Sequence, residues 1–153
     1  MPNRAISTAE ALELLKAGRY GVLSTSSAAG EPYGVPVNYC YSERENCIFF
    51  HCAKAGKKLD NIMANSRVSF VVIGREEVAP ERFITHYESA VVTGRASIVT
   101  GEAEIVEKLL ALCDRFAPGV VERRGEVIQK YLPAVAICKI TVEAVTGKRN
   151  NDD

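Results

Sequence analysis

Residues 19–52 set the narrowest limit on the fold. Three segments rich in Val, Tyr, Phe and Ile, at 19–26, 32–42 and 46–52, read as strands. The links between them, 27–31 and 43–45, hold only five and three residues. A parallel crossover needs about a dozen residues or more, usually a helix. These strands therefore run antiparallel. Pro36 removes a ladder donor, which puts the second segment at an edge or a bulge. Segments 67–73, 87–99 and 134–145 bring the expected total to six strands. Gly94, in the middle of the fifth, predicts a bulge or a barrel bend. In the last, Ile140, Val142 and Ala144 alternate with Lys139, Thr141 and Glu143.

Helices punctuate these strands too rarely for a doubly wound sheet. Ser7-Thr8-Ala9-Glu10 has the form of a capping box, with Ala11, Leu12 and Leu15 on one side and Gly18 as a stop. A short helix is expected at 57–64, packing Leu59, Ile62 and Met63. A longer one at 100–117 would bury Val106, Leu109, Leu110, Cys113 and Phe116, and Pro118-Gly119 would break it. A weaker helix is expected at 122–131. Residues 74–86 are charged and hold Pro80, so they read as a loop. The fold class expected is mainly β (β+α): a six-stranded antiparallel sheet closed or half-closed into a barrel, with flanking helices. Residues 1–148 would form one domain and 149–153 a flexible tail.

The chemistry is bounded first by exclusion. Lys+Arg and Asp+Glu number 19 each, so the formal net charge is zero. A balanced chain has no global attraction for nucleic acid or an anionic membrane, and any anion site must be local. No apolar run approaches the ~20 residues of a membrane span. The first residues lack the apolar core of a signal peptide, so a cytoplasmic location is expected. The five cysteines contain no C-x-x-C and read as reduced, mostly buried thiols. With two histidines, His51 and His86, a His-rich metal centre is not expected. Gly56-Lys57-Lys58 lacks the rest of a P-loop, and no G-x-G-x-x-G opens a helix. His51 and Cys52 are strand neighbours pointing to opposite faces, which disfavours a Cys–His dyad.

Two positive features remain. Lys54, Lys57 and Lys58 crowd the start of the short helix, where the macrodipole is already positive, and Asp60 offsets only part of this. Either these lysines are solvated, or a phosphate sits on the first-turn N–H groups. Ser24-Thr25 and Asn38-Tyr39 set hydroxyls, an amide and a ring into apolar strands. They suit either a polar, aromatic ligand or an exposed strand face.

Taken in order, Tyr20-Gly21-Val22-Leu23-Ser24-Thr25, then residues 30–39 from Gly30 to Tyr39, then residues 48–58 from Ile48 to Lys58, then residues 87–96 from Tyr87 to Ala96, resemble the pyridoxamine 5′-phosphate oxidase-like flavin-binding family, and within it the nitroimidazole-resistance branch. The resemblance spans nearly the whole chain. It implies a split β-barrel, a homodimer with FMN in the cleft between subunits, and electron transfer from NAD(P)H to a small acceptor such as a nitroaromatic or a quinone. The same resemblance admits a non-catalytic flavin- or haem-binding protein. It further implies that Val22, Leu23, Ser24 and Thr25 run along the flavin and its phosphate. Val37, Asn38 and Tyr39 would meet the ring or ribityl chain. His51, Cys52 and Ala53 would line the ring side, and Lys57 with Lys58 would hold the phosphate. Glu88 and Ser89 are carried over too, although many relatives have Arg where Glu88 stands. His51 would be the catalytic residue, passing a proton as a hydride arrives. The C-terminal Arg and His of the vitamin B6 oxidases have no counterpart in residues 146–153, so that reaction is not expected.

Overall fold

The computed structural model describes residues 4–151. Along the chain run β1 (Ala5–Ile6), α1 (Thr8–Ala17), β2 (Tyr20–Ser26), β3 (Pro32–Asn38), β4 (Cys40–Ser42), β5 (Cys47–Ala53), α2 (Lys57–Ala64), β6 (Arg67–Ala79), β7 (Ile84–Ile98), α3 (Glu102–Phe116), α4 (Arg124–Tyr131) and β8 (Val135–Asn150). The strands form one antiparallel sheet in the order β3-β2-β6-β7-β8-β5-β4, with β1 added to β8. The sheet curls, and its two edges are joined by a single residue, Tyr39, between β3 and β4. Tyr39 is fully buried. Its hydroxyl donates to the Leu15 carbonyl, and its ring meets Phe70 edge-on at 4.9 Å. Closure is thus made by a packed corner, not by a ladder between the edges.

Among the described residues, eight strands replace the expected six. The expected 32–42 strand divides at that corner, and β1 is a two-residue addition too short to read from sequence. Pro36 lies on an edge strand, as its missing N–H demands. Gly94 stands at a register shift between β7 and β8, where Gly94 faces Val142 and Thr93 faces Ala144. A Cβ at Gly94 would lie 2.1 Å from the Thr141 carbonyl oxygen, so only glycine fits without movement. The extra residue, Glu143, flips the inward alternation of β8, which leaves Ala144 exposed and buries Gly147.

Two expectations are corrected outright. Residues 74–86 are not a loop: β6 and β7 continue as a hairpin, pairing Glu76 with Tyr87, Glu77 with His86 and Val78 with Thr85. A 3₁₀ turn at Pro80–Arg82 and a left-handed Phe83 (φ 55°) reverse the chain. Charge misled the reading because most of this ribbon is open to solvent, and polar residues suit it. The segment 149–153 is not all tail either. β8 runs to Asn150, whose side-chain amide donates to the Thr85 carbonyl at 2.7 Å. Arg149 pairs with Glu10 and Glu88, each at 2.7 Å. Asp152 and Asp153 lie outside the described residues.

The barrel interior is filled by Leu15, Leu23, Tyr39, Ile48, Phe50, Phe70, Val72, Val92 and Ile140. Each such side chain contributes roughly 1.5–3 kcal/mol on burial. A second cluster, Cys47, Phe49, Val99, Leu112 and Ile137, joins the other side of β5 to α3. The α1 capping box forms: the Ser7 hydroxyl accepts from Glu10 N–H and the Glu10 carboxylate accepts from Ser7 N–H at 2.9 Å. On α2, Met63 is 78% exposed, and Asn61 is buried with Leu59 and Ile62 instead. On α3, Leu110 is exposed while Lys108 and Leu112 are buried. Among the described residues no helix is long and apolar enough to cross a membrane.

Candidate functional site

β3 and the end of β5 beyond its pairing with β4 face each other across an open cleft because the sheet closes only at Tyr39. Val35, Pro36, Val37 and Asn38 form one side, and His51, Cys52 and Ala53 the other. α3 and α4 supply a third wall through Leu109, Leu112, Cys113, Phe116, Val127, Ile128 and Tyr131. The cavity measures about 840 Å³, toward the upper end of small-molecule sites. Its lining contains Lys58 and no carboxylate.

α2 brings the lysines to this cleft. β5 ends at Ala53, and the chain turns through Gly56 at φ 138°, a conformation that disfavours any side chain. Helix starts leave their first N–H groups without intrahelical partners. At α2 no side chain caps them, because the N-cap is glycine. Lys58 lies beside Cys52 in the cleft wall. Lys57 turns outward, its ammonium 5.1 Å from the centre of the Tyr33 ring near the start of β3. The helix is pinned beneath by Asn61, whose amide donates to the Thr25 hydroxyl at 3.0 Å.

Of the residues singled out from sequence, the cleft collects Val37, Asn38, His51, Cys52, Ala53 and Lys58, with Lys57 at its α2 end. The others are dispersed. The Leu23 and Tyr39 side chains belong to the core, and Thr25 is buried under α2. These three side chains are not among those lining the cleft. Val22 and Ser24 lie on the opposite face of β2, away from the barrel interior. Glu88 is engaged by Arg149, and Ser89 pairs across to Ile73 and Lys148. From Glu88 to Arg95, which faces Arg67 just after α2, is seven residues, about 23 Å of strand. Within one chain, neither Glu88 nor Ser89 lines the cleft. The α3–α4 wall went unread because its spacing looks the same as that of a core-facing helix.

Burial disfavours the thiolate form of Cys52 and of Cys138 behind it. Burial pushes Cys52 upward, partly opposed by Lys58. Burial likewise pushes Cys138, on the adjacent strand, up to about 12. The chemistry available is that of a flat, largely apolar slot with an imidazole, an amide and one ammonium, open at a helix N-terminus. The uncapped N–H groups of α2, with Lys57 and Lys58 beside them, could hold an anionic group, and the slot between β5 and the α3–α4 wall is lined mainly by apolar side chains.

A sequence model described as pyridoxamine 5′-phosphate oxidase matches residues 7–149. No curated protein matches the chain. Among solved structures, an FAD-binding protein of Mesorhizobium loti is 24% identical, with a TM-score of 0.71, covering 97% of this chain and 98% of that one. A candidate 5-nitroimidazole antibiotic resistance protein of Bacteroides thetaiotaomicron is 17% identical at a TM-score of 0.77, covering 95% and 86%. The FAD and haem binding protein of Mycobacterium smegmatis is 19% identical at a TM-score of 0.79, covering 99% and 77%. At these identities the likeness is one of fold: a split β-barrel.

Proposed function

The chain belongs to the pyridoxamine 5′-phosphate oxidase family, and from that membership we propose that it is a cytoplasmic FMN-dependent oxidoreductase. The observation that carries this reading is the uncapped, lysine-rich start of α2 at one end of an apolar cleft free of carboxylates. FMN, when bound, supplies hydride acceptance from NAD(P)H and electron delivery to a small acceptor such as a nitroaromatic or a quinone. The protein's own part is to bind and orient. Lys57, Lys58 and the α2 N–H groups hold the phosphate. The Asn38 and His51 side chains meet polar edges in the slot, and α3 with α4 excludes water from one face. His51 is placed to hand a proton to an acceptor that is being reduced. A second copy of the chain covers the outer face of β2, β6 and β7, which brings Val22 and Ser24 to the flavin of the dimer.

The test is direct. The purified protein is expected to be yellow or to take up FMN, and NAD(P)H is expected to bleach it without oxygen. Replacing Lys57 and Lys58 by Ala is expected to weaken FMN binding about 10–100-fold for each charged contact. Riboflavin, which has no phosphate, should bind as before. Equal losses for both ligands would remove the phosphate assignment.

A second reading, a non-catalytic flavin- or haem-binding protein, is favoured by one observation: His51 is the only histidine lining the cleft, with no acid to pair with it. A flavin that no nicotinamide donor bleaches, or a Soret band, would select it.

A further inference from the structure

The cleft has a second cationic end, away from α2. Arg19 precedes β2, and its backbone carbonyl accepts from the Asn38 side-chain amide at 3.1 Å, which ties it to the end of the cleft-lining strand. Its guanidinium stands over the ring of Phe116, another lining residue, 5.3 Å from the centroid. The Arg115 guanidinium lies 5.9 Å from the same centroid, but it is occupied, donating to the Lys16 and Gly18 carbonyls at 2.7 and 2.5 Å. Arg19 has no such partner: among the described residues no carboxylate lies within ion-pair distance of it. Two guanidinium groups therefore share one ring with no counter-charge. An anion bound there would relieve their repulsion, and the flat Arg fork matches a carboxylate or sulfonate in two hydrogen bonds. From Tyr33, where Lys57 sits, to Asn38 is five residues, roughly 16 Å of strand, so this end is separate from the α2 N-terminus.

We propose that Arg19, held against Phe116, forms a subsite for the anionic group of a flat aromatic ligand whose ring lies in the cleft beside Val37. As a statement of substrate class, an aromatic carboxylate or sulfonate as electron acceptor, it rests on the flavin reading above. As a binding subsite it does not.

The experiment is a calorimetric titration of naphthoate and of neutral naphthalenemethanol into the protein, both as isolated and after FMN loading. Wild type, Arg19→Gln and Lys58→Gln are compared. Naphthoate is expected to bind wild type about 3–10-fold more tightly than the alcohol, a modest factor because Arg19 is exposed. Arg19→Gln should abolish that preference, Lys58→Gln should leave it, and added salt should narrow it. Arg19 is a surface residue, and an unchanged melting temperature will show that its variant is folded. Equal affinities in wild type, a preference that survives Arg19→Gln, or one that falls only with Lys58→Gln would overturn the proposal. Failure to take up FMN would sink the flavin reading and leave this titration readable. A yellow, reducible protein with no anion preference would sink the subsite alone.

Discussion

Glu10 shows how much one carboxylate at a helix start does here. The Ser7 hydroxyl, then the Ser7 N–H, then Arg149 hydrogen-bond to it and hold its pKa down at about 2, against an ordinary 4.5. A carboxyl whose folded-state pKa is depressed stabilises the fold above its unfolded pKa, and that contribution fades as pH falls through the folded value. Glu10→Gln is therefore expected to melt lower than wild type at neutral pH. The gap should close between about pH 4.5 and about pH 2, as melting curves of both proteins across that range would show. A gap that is constant with pH would mean that shape, not charge, matters. The Ser7–Glu10 pair was legible because a capping box is local in sequence. Its third member was not: Arg149 is 139 residues away, and it also takes up Glu88. Gly94 was legible for the same local reason. Gly94→Ala must displace the Thr141 carbonyl, and denaturant unfolding is expected to show a loss of about 1–3 kcal/mol.

At the scale of elements, α3 decides whether the cleft has a wall. Its helical period was plain in the sequence, but the side it buries was not, because Lys108 sits where an apolar residue would be expected. Lys108 is 3% exposed, bonds both Glu45 carboxylate oxygens at 2.7 and 2.8 Å, and lies 4.9 Å from the Phe49 ring centre. The bond from Lys108 also holds the Glu45 carboxyl below its usual range. A pair between α3 and the turn after β4 cannot be inferred from either segment alone. Lys108→Met keeps the packed stem and strands the Glu45 charge but for the exposed Arg44 beside it, at an expected cost of about 1–3 kcal/mol because Glu45 is partly solvated. Adding Glu45→Gln should recover most of that loss. If the double variant is no more stable than Lys108→Met in chemical unfolding, packing rather than the stranded charge is responsible. The hairpin 74–86 teaches the converse: its strand pairing was hidden because a ribbon exposed on both sides carries no alternation to read.

For the whole molecule, the curled sheet leaves one face without a helix. Along it the register aligns Pro36, Val22, Val71 and Val91 in a row across β3, β2, β6 and β7. Tyr20 is 65%, Ile73 61%, Val22 37% and Val91 36% exposed. An apolar patch exposed on the outer face of the sheet favours a partner with the same patch, and two-fold pairing satisfies both copies at once. The antiparallel sheet itself was legible from the short links of the first strands, but this face was not, since its residues read equally well as buried. Wild type is expected to run as a dimer in light scattering at micromolar concentration. Val22→Lys with Val91→Lys should give a folded monomer, because both side chains already meet solvent within one chain and two lysines there cost the isolated barrel little. Two lysines facing two others across a dyad would repel where apolar area had been buried. If the cofactor lies between subunits, the monomer should also lose FMN affinity at unchanged Lys57 and Lys58. A monomer that keeps full affinity would place the flavin within the single-chain cleft alone, and a wild-type monomer would overturn the pairing itself.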